Sequence, residues 1–318
     1  MKILVITGPT ASGKSGLGIA LAHRLNGEIV SADSMQIYKG MEIGTAAVSE
    51  REAEGIRHYL VGSIMPGSEY SVVDYRKDAD KAIAEIAGRG KLPIVVGGSG
   101  MYVDALLYDL DYTSAGKNEE LRKELAEYAN INGAAALHRL LENEDPETAE
   151  KLHENDIKRV IRALEICRTG QIPSLQVKEK KIRNGLEPVW ITLECSNREY
   201  LYERINKRTD IMMQNGLLDE VKRLLQAGVP EDAQCMKAIG YRQLIPCLTQ
   251  GADLHTAQEE IKQESRRYAK RQLTWMRARA CLRVDIYGKS EDELLSEVLS
   301  LPQVVGIAAN TKGYYEQF

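Results

Sequence analysis

The sequence has 318 residues, enough for one large domain or two modest ones. Hydrophobic residues make up 43% and charged residues 28%, and the net charge is −4, so an ordinary soluble protein is expected and a globally basic nucleic-acid binder is not. Five widely spaced cysteines without a Cys-x-x-Cys pair argue against a zinc ribbon or redox pair and suit a reducing cytoplasm, and neither a secretory leader nor a membrane-spanning run is expected.

"KILVIT" opens the chain as a buried parallel strand, and "SGLGIALAHRL" has the spacing of the helix after it. "GEIVSAD" reads as a second strand ending at Asp33. Residues 74–88 have helical spacing and stop at Gly88. "KLPIVVGGSG" is a third strand running into a glycine loop, and "EPVWITLEC" a fourth. Between these two lies far more chain than one crossover helix needs. Its pattern is helical ("NEELRKELAEYAN", "GAAALHRLLE", "PETAEKLH", "NDIKRVIRALEICRTG"). Beyond the fourth strand the chain is nearly all helix until "CLRVDIYG", a fifth strand. Strands alternating with helices give an α/β class: a P-loop NTPase-like parallel sheet flanked by helices. The expected divisions are a core over 1–110, an inserted helical subdomain over 111–187, the core continued with a basic helical region over 188–300, and an unread tail over 301–318.

The chemistry starts at "GPTASGKS", residues Gly8, Pro9, Thr10, Ala11, Ser12, Gly13, Lys14 and Ser15. The pattern Gly-x4-Gly-Lys-Ser sits between strand and helix, where a phosphate-binding loop belongs. Backbone N–H groups and the helix N-terminus favour phosphate oxygens there. Lys14 reaches the outer phosphate, and Ser15 offers its hydroxyl to Mg²⁺. The motif does not say whether the phosphates belong to a nucleotide or to another leaving group. Asp33 ends the second strand and should face the loop across the cleft. It could hold the metal through water, accept a proton from a substrate, or cap the next turn. The glycines at 97–100 stand where a motor ATPase would place a carboxylate, and they let a substrate come close instead. Arg204 and Arg208, four apart on one helix face, suit a clamp on a transferred or leaving phosphate. The bland alternative is surface arginines paired with Glu199 or Glu203.

Charge is concentrated in segments. Residues 116–150 carry nine acids against four bases, 151–183 nine bases against four acids, and 257–283 eight bases against three acids. In "SRRYAKRQLTWMRAR", Arg266, Arg267, Lys270, Arg271, Arg277 and Arg279 accompany Trp275. Basic side chains beside an aromatic suit an RNA backbone and an unstacked base, with Lys270 and Arg271 as candidate phosphate contacts. Solvated helix faces would give the same pattern, and Trp275 taken alone would more often be core. The five histidines show no metal-ligand spacing and read as structural.

Taken together, "GPTASGKS", "SADSMQIYKGMEIGTA", "YSVVDYRKDA", "PIVVGGSGMYVDALL", "NDIKRVIRALEI", "REYLYERINKRTDIM", "KAIGYRQL" and "RRYAKRQLTWMR" resemble the bacterial tRNA dimethylallyltransferase (tRNA isopentenyltransferase) family. Members look like P-loop kinases but transfer a dimethylallyl group. The resemblance implies that the phosphates are those of dimethylallyl diphosphate. The acceptor would be the exocyclic N6 of the adenosine 3′ of the anticodon, in tRNAs reading codons that begin with U. Diphosphate would leave, stabilised by Lys14, Arg208, loop N–H groups and Mg²⁺ at Ser15, with Thr10 on the bridging oxygen and Asp33 as base. Asp33, Ser34, Met35 and Gln36 would grip the flipped base. The anticodon stem-loop would be held by Ser99, Arg122, Lys158, Arg159, Val160, Ile161 and Arg162, and by Lys237, Ala238, Ile239, Gly240, Tyr241 and Arg242. The cysteine-rich finger of eukaryotic relatives is absent, so no zinc is expected, and a cytoplasmic monomer is the expectation. Two stretches depart from the family: Ala47-Val48 where Lys-Pro is usual, and "LVG", with Gly62 and Ser63, where "LID" is usual. Neither is expected to touch the P-loop or Asp33. A nucleotide or nucleoside kinase is the rival reading.

Overall fold

The computed structural model describes residues 1–109, 118–170, 173 and 181–313, with side chains as far as 307. Two compact units form, Met1–Leu107 with Arg183–Phe318, and Tyr108–Ile182.

The larger unit is built on six strands. In chain order its first half is β1 (Lys2–Thr7), α1 (Lys14–Leu25), β2 (Gly27–Ser31), α2 (Glu42–Thr45), β3 (His58–Tyr59), α3 (Val72–Gly88), β4 (Leu92–Gly97) and α4 (Gly100–Leu107). The smaller unit follows, with α5 (Glu119–Asn132), α6 (Ala134–Glu144), α7 (Pro146–Lys151) and α8 (Ile157–Cys167). The larger unit resumes with β5 (Glu187–Glu194), α9 (Arg198–Gln214), α10 (Leu217–Gln226), α11 (Tyr241–Thr249), α12 (Leu254–Arg277), β6 (Leu282–Asp285), α13 (Glu291–Ser300) and α14 (Pro302–Gly313).

The sheet is parallel throughout, in the order β3-β2-β4-β1-β5-β6. β1 is central, and Thr7 lies level with Gly97 of β4 and Thr192 of β5. The loops leaving β1 and β4 therefore emerge side by side at the carboxyl edge, where open parallel sheets bind ligands. Ile3 to Ile6, Ile94, Val95 and Ile191 are fully covered, as a sheet flanked by helices on both faces requires. The polar side chains closing β1 are satisfied inside. Trp190 Nε1 donates to Thr7 Oγ1 at 2.9 Å, and the Thr7 and Thr192 hydroxyls are 2.8 Å apart. α3 opens on a Ser71–Asp74 capping box, two residues before the expected start at 74.

The structure differs from the sequence reading in several elements. Among the described residues there are six strands rather than five, because "HY" pairs with Ile29 and Val30 as β3. Two residues carry no periodicity, so only the neighbouring strand defines this one. The long helical run after β5 breaks into α9 and α10 at Gly216, whose φ of +95° ends one helix and turns the chain into the next. Residues 302–313, part of the unread tail, form α14, while 314–318 lie outside the described residues.

The smaller unit has its own core, with Leu125, Leu137, Leu141, Val160 and Leu164 buried together. Its chain limits are 108 and 182 against the expected 111 and 187, since 183–186 lead into β5 within the larger unit. At its ends Tyr108 bridges Ile182, and the Asp109 amide donates to the Lys181 carbonyl at 3.0 Å.

Candidate active site

The phosphate loop is folded and braced. Ala11 and Gly13 both take left-handed conformations, φ +62° and +87°, which turns successive amides inward. A left-handed alanine is strained by roughly 1–2 kcal/mol. Arg204 supports it from outside, its Nε donating to the Ala11 carbonyl at 2.9 Å. The two arginines on one face of α9 thus do different things. Arg208 reaches further and lines a cavity of about 280 Å³ at the carboxyl edge of the sheet. Its guanidinium also donates to the Thr45 carbonyl at 3.4 Å. Neither follows the bland reading of arginines paired with Glu199 or Glu203.

This cavity brings most of the sequence candidates together. Thr10 lines it from the loop; Asp33, Ser34 and Met35 from the end of β2; Lys237, Ala238, Ile239, Gly240 and Arg242 from the approach to α11; and Tyr268 and Arg271 from α12. A smaller cavity next to it holds Lys14, Ser15, Asp33, Gln36 and His58. Asp33 belongs to both. Its Oδ1 accepts the Met35 amide at 2.9 Å, so the capping role exists alongside the exposure to the cleft. Ser99 is buried, accepts the Ser34 amide at 2.9 Å and donates to the Ser34 hydroxyl at 3.2 Å. Gly97 cannot carry a side chain, because a Cβ there would stand 2.2 Å from the Ala32 carbonyl oxygen. That close approach ties the β4 loop to the chain just before Asp33.

Lys14 is the electrostatic centre. Burial chiefly, then the Arg208 charge, lowers its ammonium to about 8, against a smaller opposing pull from Asp33. Burial lowers Arg208 as well, and Asp33 raises it. Two desolvated cations sharing one site favour a multiply charged anion. Lys14 Nζ meanwhile contacts the Pro9 carbonyl at 3.4 Å.

Other candidates have structural roles. Gln36 turns away from the larger cavity. Its Oε1 accepts from Ser31, and its Nε2 donates to the carbonyls of Thr45 and Ala46, both at 3.3 Å. Tyr241 is fully buried, its hydroxyl donating to Glu220 at 2.5 Å and lying 3.1 Å from the Met41 carbonyl. In the smaller unit Val160 and Ile161 belong to the core, so their side chains are not surface contacts. A helix carrying a basic face still needs its apolar stripe inward. Lys158 and Arg159 are exposed there. Arg122 and Arg162 both engage Glu165, Arg122 with two bonds of 3.1 and 2.9 Å. Burial pushes the Glu165 carboxyl up, but Arg122, the Asn118 amide and Arg162 outweigh that and hold it at about 2.

α12 decides between the alternatives for its aromatic and narrows the basic face. Trp275 is no stacking platform: its ring packs on Gly100 and lies 5.7 Å from Trp190, and its Nε1 donates to Asp104 at 3.1 Å. Arg266, Arg267 and Arg279 are engaged with Asn206, Glu264 and Asp104. Lys270, Arg271 and Arg277 are exposed, with Arg271 lying over the Tyr268 ring. The 46–63 loop reaches the site, since Val48 and Val61 line the smaller cavity with Lys14, Ser15 and Asp33. Sequence reasoning also missed His58, Tyr268 and the apolar wall of Ile205, Met212, Leu217 and Ile261. The wall's only prior signal was helical periodicity, which marks burial and not a cavity.

Among the described residues no helix is long and apolar enough to cross a membrane, and no group of three or more His, Cys, Asp or Glu could hold a metal. The family model described as IPP transferase matches residues 36–279. The tRNA dimethylallyltransferase of Bacillus subtilis strain 168 is 48% identical over 276 residues, 86% of this chain and 87% of that one. That of Thermoanaerobacter sp. strain X514 is 42% identical over 305 residues, 94% and 96% of the two chains. Among solved structures, the full-length tRNA isopentenylpyrophosphate transferase of Bacillus halodurans superposes with a TM-score of 0.71 at 38% identity, covering 99% of both chains. A eukaryotic dimethylallyltransferase acting on tRNA gives 0.78 at 30% identity, covering 99% of this chain and 80% of that one.

Proposed function

The chain belongs to the IPP transferase family, and on that premise we propose that it transfers the dimethylallyl group of dimethylallyl diphosphate to tRNA. The acceptor is the N6 amine of the adenosine 3′ of the anticodon, in tRNAs reading codons that begin with U. The observation that carries the reading is the shared cavity: a phosphate loop on one side, Asp33 on the other, Arg208 and basic residues of the 237–242 and α12 segments around it.

The chemistry follows from these placements. The allylic C–O bond breaks and diphosphate leaves with its electron pair, while N6 forms the new C–N bond. Loop amides, Lys14 and Arg208 stabilise the departing charge. Thr10, which lines the cavity, offers its hydroxyl to the bridging oxygen in this reading. The apolar wall of Ile205, Met212, Leu217 and Ile261 accepts the hydrocarbon and keeps water from the electron-poor allyl group. An adenine amine is a weak nucleophile, and Asp33 takes its proton. The target base must leave its stack to enter. Ser34 and Met35 line its side of the cavity.

Mg²⁺ fits the residues present. It takes oxygen ligands, keeps several waters and binds through one or two protein groups plus phosphates. Ser15 supplies such an oxygen in the smaller cavity, beside Lys14, with the diphosphate and water completing the set. When bound, the ion would neutralise charge on the leaving diphosphate. The protein acts as a cytoplasmic monomer.

A nucleotide or nucleoside kinase is not favoured, given relatives named for dimethylallyl transfer. One experiment tests the reading directly. Unmodified tRNA and Mg²⁺ are incubated with labelled dimethylallyl diphosphate or with γ-labelled ATP. Label should enter RNA only from the first. Incorporation from ATP alone would overturn the assignment.

A further inference from the structure

Within the basic run of α12, Gln272 is buried, 5% exposed, between Arg271 and Leu273. Its carboxamide spans two loops. Oε1 accepts the Thr10 amide of the phosphate loop at 2.8 Å, and Nε2 donates to the Gly98 carbonyl of the β4 loop at 3.0 Å. Gly98 is shaped for this contact: a Cβ there would stand 2.3 Å from Gln272 Nε2. The adjacent Ser99 holds Ser34, its Oγ accepting the Ser34 amide at 2.9 Å, and Tyr268, one turn before Gln272, lines the same cavity as Ser34. Gln272 therefore ties Thr10 to Gly98, whose chain neighbour Ser99 holds the residue after Asp33.

We propose that Gln272 is a positioning residue that sets Thr10 against the leaving group and ties it to the segment that holds the acceptor base. The inference rests on the transferase reading above. Its physical basis is the fate of the Thr10 amide. In a phosphate loop, amides are free to turn toward the anion. Gln272 takes the Thr10 N–H away from that task, so the residue's hydroxyl and not its amide is left to face the cavity. A buried carboxamide with both ends satisfied also holds one orientation, because any rotation leaves a donor or acceptor unpaired. Lys270 and Arg271 flank Gln272 on the same helix, so RNA held by them would bear on the same element that fixes Thr10.

The test compares Gln272→Met, which keeps length and removes both bonds, with Gly98→Ala, which displaces the side chain from the other end. Each should lower kcat for dimethylallyl transfer about 10- to 100-fold, with KM for tRNA and binding of inorganic diphosphate within about threefold of wild type. The double variant should be no worse than the more impaired single one, because both break the same contact. Melting curves run alongside separate this from unfolding, and Gly98→Ala carries the test if Gln272→Met does not fold. An unchanged kcat, additive losses, or a loss confined to KM would overturn the inference. If wild-type protein transfers no dimethylallyl group, the transferase reading fails instead.

Discussion

Arg204 donates to the carbonyl of Ala11 at 2.9 Å, at the one non-glycine residue of the phosphate loop whose φ is positive. One turn later on α9, Arg208 lines the cavity itself. Two arginines that look equivalent in sequence are thus a brace and a contact. Arg208→Ala should lower the transfer rate by about 10²–10³, as loss of a preorganised charge stabiliser does. Arg204→Ala should relax the loop and weaken diphosphate binding only a few-fold, leaving tRNA affinity unchanged. Single-turnover rates and diphosphate titrations of both variants distinguish the roles. Equal losses of rate would mean that both arginines touch the leaving group.

Lys14 gives the site a pH signature. Its ammonium is lowered from 10.5 to about 8 by burial first and Arg208 second. A bound diphosphate raises it again, so the ligand prefers the protonated form. Affinity should be flat below pH about 8 and fall as pH rises through 8, by up to about tenfold per pH unit until the liganded form also titrates. In the unliganded protein the same shift disfavours folding while Lys14 is charged, and the penalty is relieved as pH rises from about 8 toward 10.5. Titration calorimetry over this range should show the fall in affinity for wild type and a flat profile for Lys14→Met. A wild-type profile as flat as the variant's would reject the assignment.

Asp33→Asn separates base from cap. The variant keeps an oxygen for the Met35 amide, which Asp33 holds at 2.9 Å, and loses the proton acceptor. Transfer should slow by about 10²–10⁴, the usual worth of general-base assistance, with tRNA affinity within a few-fold. Near-normal turnover would leave Asp33 only its turn.

The exposed part of α12 should read as phosphate contact. Replacing Lys270 and Arg271 with Gln should make the log–log salt dependence of tRNA binding shallower by roughly one to two units. The loss should be the same for all tRNAs, since phosphate contacts position without reading sequence. Arg266, Arg267 and Arg279 are engaged within the protein, so their replacement should lower the melting temperature more than it changes the slope. An unchanged slope for the Lys270 and Arg271 pair would remove this helix from the RNA surface.

The parallel sheet and phosphate loop were legible because each rests on local pattern: apolar runs, glycine spacing and a helix after a strand. β3 was not, because two residues become a strand only beside β2. His58, carried by that strand, reaches the phosphate-loop cavity for the same non-local reason. Trp275 stayed open between core and RNA face because an aromatic among bases looks alike whether it faces RNA or Trp190. Gln272 did leave a trace. Ile261, Ala269, Gln272 and Met276 fall on the buried stripe of α12, and a carboxamide on such a stripe must be hydrogen-bonded by something. The partner, 262 residues away at Thr10, is beyond any local pattern.

The smaller unit leaves the chain and returns to it at residues bonded to one another: Tyr108 bridges Ile182, while just outside them the Arg183 amide meets the Leu107 carbonyl at 2.9 Å. A segment with joined ends behaves as an interchangeable part. Replacing it with a tight turn would ask no strand of the sheet to move. Growing it would cost little, because closure entropy rises only with the logarithm of length. Evolution could therefore have fitted, lengthened or exchanged this cassette while the phosphate loop and Asp33 kept their places. A circularly permuted chain opened inside it, with its natural ends linked, should still build the same sheet.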